Sequence, residues 1–182
     1  MTGPAQPAPP AEPPKPRRVV LALGSNLGDR LENLQGAVDA LFDAPGLDFR
    51  AASPVYETAP VGGPQQPDYL NAVITVDTAL PARTILDRAH GAEEAFQRVR
   101  EVAWGPRTLD VDLIVCGDEI SDDPELTLPH PRAHERAFVL APWHDIEPDA
   151  EIPGRGRVED LLKAVGLDGV QRVNGSGLQP PA

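Results

Sequence analysis

The run Leu109-Asp-Val-Asp-Leu-Ile-Val115 sets two carboxylates two residues apart inside an otherwise apolar segment. In a strand, alternate residues share a face, so Asp110 and Asp112 project together while Leu109, Val111 and Leu113 turn to the opposite side. Carboxylates are disfavoured in strand interiors, so this pair needs a compensating partner. Held about 7 Å apart along the strand, they can share or bridge hard cations such as magnesium. On these residues alone, an ordinary solvated strand face is the alternative.

The flanking pattern supplies the other elements. Arg18-Val-Val-Leu-Ala-Leu23 suits a buried strand that stops at Gly24. Asp29 and Glu32 have capping-box spacing, and Leu31, Leu34, Val38, Leu41 and Phe42 recur on one helical face before Pro45-Gly46. Leu47–Tyr56 and Asn71–Val76 read as strands, separated by the Gly- and Pro-rich loop Glu57–Asp68. Pro81 opens a second helix that presents Ile85, Leu86 and Ala89 to the core. After the strand at Leu109–Val115 come a short extended piece at Thr127-Leu128, a helical stretch around Ala133–Leu140 and a last helix near Val158–Val165. The order β-α-β-β-α-β predicts an α+β fold of the ferredoxin-like kind, an antiparallel sheet with helices packed on one face.

A chain of 182 residues with 41% hydrophobic positions suits one globular domain. We expect a disordered proline-rich arm at 1–16, the domain at 17–166 and a loose tail at 167–182. The net charge of −12 argues against broad binding to nucleic acid or anionic membranes, which requires a basic field. No apolar run approaches the roughly 20 residues that span a bilayer, and no signal peptide opens the chain, so a cytoplasmic monomer is expected. The single cysteine, Cys116, sits in an apolar run and reads as core.

Against this acidic background, locally clustered cations are informative. Arg98, Arg100 and Arg107 flank the aspartate pair on a loop with glycine and proline. The planar guanidinium fork matches phosphate oxygens, and magnesium with arginine recurs in phosphoryl transfer. In Leu128-Pro-His-Pro-Arg-Ala-His-Glu-Arg-Ala-Phe-Val139, prolines fix the backbone of His130, and Arg136 and Phe138 follow on a helical turn. Tyr69 and Asn71 share a strand face, one offering a ring and the other an amide to the edge of a planar heterocycle. A structural histidine and a core tyrosine are the plain alternatives. Gly24-Ser-Asn-Leu-Gly28 joins strand to helix but lacks the Gly-Lys-Ser/Thr of a P-loop, so it reads as a tight turn.

From about Val19 to Leu162 the chain resembles the 6-hydroxymethyl-7,8-dihydropterin pyrophosphokinases of folate biosynthesis. The likeness rests on Leu23-Gly-Ser-Asn-Leu-Gly-Asp29, Tyr56-Glu-Thr-Ala-Pro60, Gln66-Pro-Asp-Tyr-Leu-Asn71, Arg98-Val-Arg100, Trp104-Gly-Pro-Arg-Thr-Leu-Asp-Val-Asp112 and Leu128-Pro-His-Pro131, in family order. It departs from the family pattern at Ala59, Gln97 and Ala103.

The resemblance implies transfer of pyrophosphate from ATP to the pterin hydroxymethyl group, leaving AMP. It implies two Mg2+ ions on Asp110 and Asp112. Contacts to ATP would come from Glu93, Arg98, Arg107, Thr127, His130 and Arg136, with Arg98 and Arg107 catalytic. Contacts to the pterin would come from Thr58, Val61, Tyr69, Asn71, Trp104 and Phe138, with Trp104 as a lid. No residue declares itself as general base. A non-catalytic binding domain or a metal-dependent phosphohydrolase are the competing readings.

Overall fold

The computed structural model describes residues 3–4, 14–60, 66–96, 109–175 and 177–181. The chain order is β1 (Arg17–Ser25), α1 (Arg30–Leu41), β2 (Asp48–Ala52), β3 (Tyr56–Thr58), β4 (Tyr69–Thr78), α2 (Ala82–Phe96), β5 (Asp110–Cys116), β6 (Ser121–Asp123) and β7 (Leu126–Leu128). A 3-10 turn (Ala133–Glu135), α3 (Ala137–Ile146), β8 (Glu151–Ile152), β9 (Gly156–Arg157), α4 (Val158–Val165) and β10 (Val170–Arg172) follow. The proline-rich arm lies largely outside the described residues, as does the arginine-bearing loop before Leu109.

The main sheet runs β10-β3-β4-β1-β5, with β2 also paired to β4, and every pairing is antiparallel. β1 is central because Val19, Val20, Leu21 and Leu23 are apolar in unbroken sequence and can be buried on both faces. On one face Leu21, Leu23, Ile74, Val111 and Leu113 meet Leu34 and Val38 of α1 and Ile85 and Ala89 of α2. On the other, Val20, Ala22, Val73 and Val115 meet Val139, Leu140 and Trp143 of α3, with Val158 of α4. Helices thus cover both faces, not the one face expected. α3 is the reason: it is buried all along from Val139 to Trp143 and continues through Pro142 to Ile146.

Asp29 caps α1 as its spacing predicts, accepting the Glu32 N–H at 3.1 Å. The predicted strand Leu47–Tyr56 is broken in two. Pro54 has no N–H for the ladder, and Ser53 Oγ stands in for a ladder carbonyl by accepting Val73 N–H at 2.8 Å. The chain therefore bends between β2 and β3.

The expected loose tail after Gly166 is corrected most clearly. β10 adds an edge strand to β3, Leu178 is buried in the core beside α1, and Gln179 exchanges two hydrogen bonds with Gln35. Backbone pairing and one apolar anchor order a segment whose composition is polar. Cys116 is buried as expected, and that burial pushes its thiol up to about 11.

The far end of the sheet carries a charge cluster. Arg18 Nε donates to Asp77 at 2.7 Å and holds that carboxyl below its ordinary value against the opposing effect of burial, with Arg50 adding to it from 2.5 Å. A carboxyl depressed in the folded state contributes stability above its unfolded pKa and loses it as pH falls through the folded value. Unfolding free energy should therefore fall as pH drops below about 4. Asp77→Asn should flatten that part of the acid limb in urea titrations run across the range.

Candidate active site

The register of the sheet builds the site. Paired residues in an antiparallel sheet point to the same face, and Gly24 of β1 pairs with Asn71 on one side and Asp110 on the other. Two residues away along β1, Ala22 pairs with Asp112 and Val73. Asp110, Asp112 and Asn71 therefore share the face that α3 covers, while Val111 and Leu113 enter the opposite core. Two strand spacings, about 10 Å, separate the backbone of Asp110 from that of Asn71. Gly24 and Ala22 leave the floor between them nearly bare of side chains.

Above this floor is a cleft of about 720 Å³. Asp110 and Asp112 lie at one side, Thr58, Tyr69 and Asn71 at the other, and Arg136, which precedes α3, and Phe138 of α3 form the roof. Asn71 Nδ2 donates to Thr58 Oγ1 at 2.6 Å, and both residues are buried. That bond fixes the amide plane at the cleft wall. The Arg136 guanidinium lies 5.5 Å from the centroid of the Phe138 ring, so a cation and an aromatic face project from the start of the same helix.

The other predicted residues are distributed differently. Glu93, Thr127 and His130 do not line this cleft. Glu93 accepts Val111 N–H at 3.2 Å, which places its carboxylate at the backbone of β5. Thr127 Oγ1 donates to Asp123 O within the β6–β7 hairpin. A bulge in β5 opposite Val20 and Leu21 leaves Ile114 O to accept His130 N–H at 2.8 Å, anchoring the histidine loop beside β5.

Burial lowers the His130 imidazole below its ordinary value, opposed by the nearby Asp112 carboxylate. Arg132 N–H donates to His130 Nδ1 at 3.2 Å, so the neutral ring carries its proton on Nε2. Val61, Arg98, Trp104 and Arg107 lie outside the described residues.

The donor set fits a hard divalent cation. Two half-buried carboxylates stand on one strand, and among the described residues no group of three ligating side chains converges. Such a platform suits Mg2+, which keeps several waters and takes phosphate oxygens as ligands.

Sequence reasoning missed part of the lining. Arg132 and Glu135 border the cleft, as do Gly166, Asp168, Gly169 and Val170 from beyond α4. Arg132 stands within the quoted Leu128–Val139 segment, but nothing in the local pattern of the later residues marked them. Asn26 donates to Gln66 and to the Pro67 carbonyl and ties the turn after β1 to the segment that leads into β4.

The sequence profile of 7,8-dihydro-6-hydroxymethylpterin-pyrophosphokinase (HPPK) matches residues 20–148. The chain belongs to this family. It is 39% identical over 160 residues to the 2-amino-4-hydroxy-6-hydroxymethyldihydropteridine pyrophosphokinase of Pseudomonas aeruginosa, covering 88% of this chain and 99% of that protein. It is 49% identical over 153 residues to the protein of the same name from Mycobacterium leprae, with 78% of each chain covered.

In fold it is similar to Plasmodium falciparum HPPK-DHPS crystal structures. One, with pterin and p-hydroxybenzoate, gives a TM-score of 0.68 at 13% identity over 90% of this chain; another gives 0.66 at 14%. This chain spans about half the length of those proteins, 48% in both cases. The pyrophosphokinases are diphosphotransferases, as the sequence resemblance implied. No helix among the described residues is long and apolar enough to cross a membrane.

Gly24 is the tightest point of the site. A Cβ there would meet Asn71 Oδ1 at 2.9 Å and the Tyr69 ring at 3.6 Å. Gly24→Ala should therefore displace the Asn71 amide and break its bond to Thr58, destabilising the fold by about 1 kcal/mol in urea unfolding. The Asn71 side-chain amide resonance should shift with it.

Proposed function

We propose that the protein transfers pyrophosphate from ATP to the hydroxymethyl group of 6-hydroxymethyl-7,8-dihydropterin, giving the pterin diphosphate and AMP for folate biosynthesis. The observation that carries this reading is the Asp110–Gly24–Asn71 row. It sets a cation platform and a buried amide on opposite sides of one cleft, in a chain of this family.

In this reading the pterin lies between the rings of Tyr69 and Phe138, with Asn71 and Thr58 at its polar edge. The second Nδ2 hydrogen of Asn71 and its Oδ1 give a donor and an acceptor to a heterocycle that presents both. ATP extends toward β5, within reach of Arg136, with Glu93, Thr127 and His130 on its nucleotide side. Arg98 and Arg107 would contact the phosphates and offset the charge that develops on them, and Trp104 and Val61 would contact the pterin, all four from segments outside the described residues.

Asp110 and Asp112 would hold two Mg2+ ions, which would neutralise phosphate oxygens and make the alcohol more acidic. The hydroxymethyl oxygen attacks the β-phosphorus in line, the bond from that phosphorus to the α–β bridging oxygen breaks, and AMP leaves. What the protein contributes is position and electrostatic complementarity.

The finer topology fits the same assignment. We propose a ferredoxin-like topology, supported by the order β5-β1-β4-β2/β3 when β2 and β3 are counted as one broken strand. We further propose that the protein acts as a cytoplasmic monomer.

Incubation with Mg2+ and ATP should yield AMP only when 6-hydroxymethyl-7,8-dihydropterin is present. Phosphate or diphosphate released without pterin would instead indicate a hydrolase. Asp112→Ala should lower kcat at least about 100-fold, the loss of several kcal/mol of transition-state stabilisation, while thermal unfolding stays within a few degrees of wild type.

A further inference from the structure

The part of the cleft that no motif accounts for comes from residues after α4, beyond the 20–148 span of the family match. Gly166, Asp168, Gly169 and Val170 border it. Val170 pairs with Thr58 and so faces the cleft beside it, and Arg172 pairs with Tyr56. β10 is the outermost strand on the Thr58 side, about four strand spacings or 19 Å from β5. A ligand reaching it is therefore touched at the end away from the carboxylates.

The segment is clasped in place. Arg172 Nη2 meets Asp145 of α3 at 2.8 Å, and its guanidinium lies 5.9 Å from the centroid of the Tyr56 ring. Tyr56 Oη donates to the other oxygen of Asp145. Burial, then the Asp145 bond, raise the Tyr56 phenol above its ordinary value, so it remains a donor at neutral pH. Val173 N–H donates to Val55 O at 2.8 Å, continuing the pairing past β10. Gly166 and Gly169 have φ of 80° and 76°, which residues with a Cβ adopt only with strain, so the connection into β10 depends on them.

We propose that residues 166–170 are a substrate-binding element, the outer wall of the pterin subsite, and that Arg172 is the positioning residue that holds this wall through Asp145 and Tyr56. The proposal rests on the pterin reading above. The wall contributes Val170 and backbone beside Thr58. It shields the Thr58–Asn71 pair from water, which strengthens hydrogen bonds made there to a bound ring.

Arg172→Gln and, separately, Gly169→Ala test this in the full chain. Hydrogen exchange across 166–172 reports whether the wall loosens. Calorimetry with 6-hydroxymethylpterin, in the presence of Mg2+ and a non-hydrolysable ATP analogue, reports the subsite. Both substitutions should speed exchange and weaken pterin binding about five- to tenfold. KM for the pterin should rise equally, with kcat and the KM for ATP within about twofold of wild type. Arg172→Lys should recover most of the affinity.

A loosened wall with unchanged pterin affinity would overturn the proposal. So would exchange unchanged in both variants, or equal losses for ATP and pterin. If wild-type protein neither binds the pterin nor makes AMP, the pyrophosphokinase reading itself fails. That outcome is distinct from a wild type that is active and variants that match it.

Discussion

The antiparallel pairing of β1 with β4 and β5 together is the constraint on which the rest of the molecule depends. One row of paired residues crosses five strands, from Arg172 through Tyr56, Asn71 and Gly24 to Asp110. It carries the clasp, the amide, the bare floor and the carboxylate in a single line. Because strand side chains alternate, a slip of one residue between β1 and β5 would turn Asp110 and Asp112 toward the apolar core. Full burial of Val19, Leu21 and Leu23 opposes such a slip, since each side chain contributes about 1.5–3 kcal/mol by leaving water. The core thus fixes the geometry of the site.

The sequence showed most clearly what short-range physics dictates. The Asp29 cap, the alternation of carboxylates and aliphatics in β5, the shared face of Tyr69 and Asn71, and the apolar stripe of α1 depend on neighbours a few residues apart, and each lies in the structure as read. The features that escaped depend on partners far along the chain. The β2–β3 break needs Ser53 to meet Val73, and the order of Val170-Gln-Arg172 comes from β3 and Asp145. Three half-polar residues cannot announce a strand. The site divides in the same way. Asp110, Asp112, Tyr69, Asn71, Arg136 and Phe138 were legible by type and spacing, whereas the glycine-rich wall was not.

Charge is distributed to match. The chain carries a net −12, and many of its arginines pair at the periphery, as Arg30 does with Glu57 and Arg83 with Asp123 and Glu125. Exposed pairs of this kind contribute little to stability. Arg132 and Arg136 border the cleft together with Asp110, Asp112, Glu135 and Asp168. A chain of this net charge repels polyanions broadly, and in the proposed reading the two arginines offset that field locally for a metal-bound phosphate.

In the proposed reading, the carboxylate pair and the amide pocket serve one bound assembly, with the reacting hydroxymethyl group of the pterin turned toward Asp110 and Asp112. Paramagnetic relaxation tests this most directly, with Mn2+ in place of Mg2+, a non-hydrolysable ATP analogue and 6-hydroxymethylpterin bound to the protein. The pterin hydroxymethyl protons should relax faster than its ring proton, and the effect should be lost in Asp110→Asn and Asp112→Asn. A pterin that binds tightly with no such gradient would contradict it.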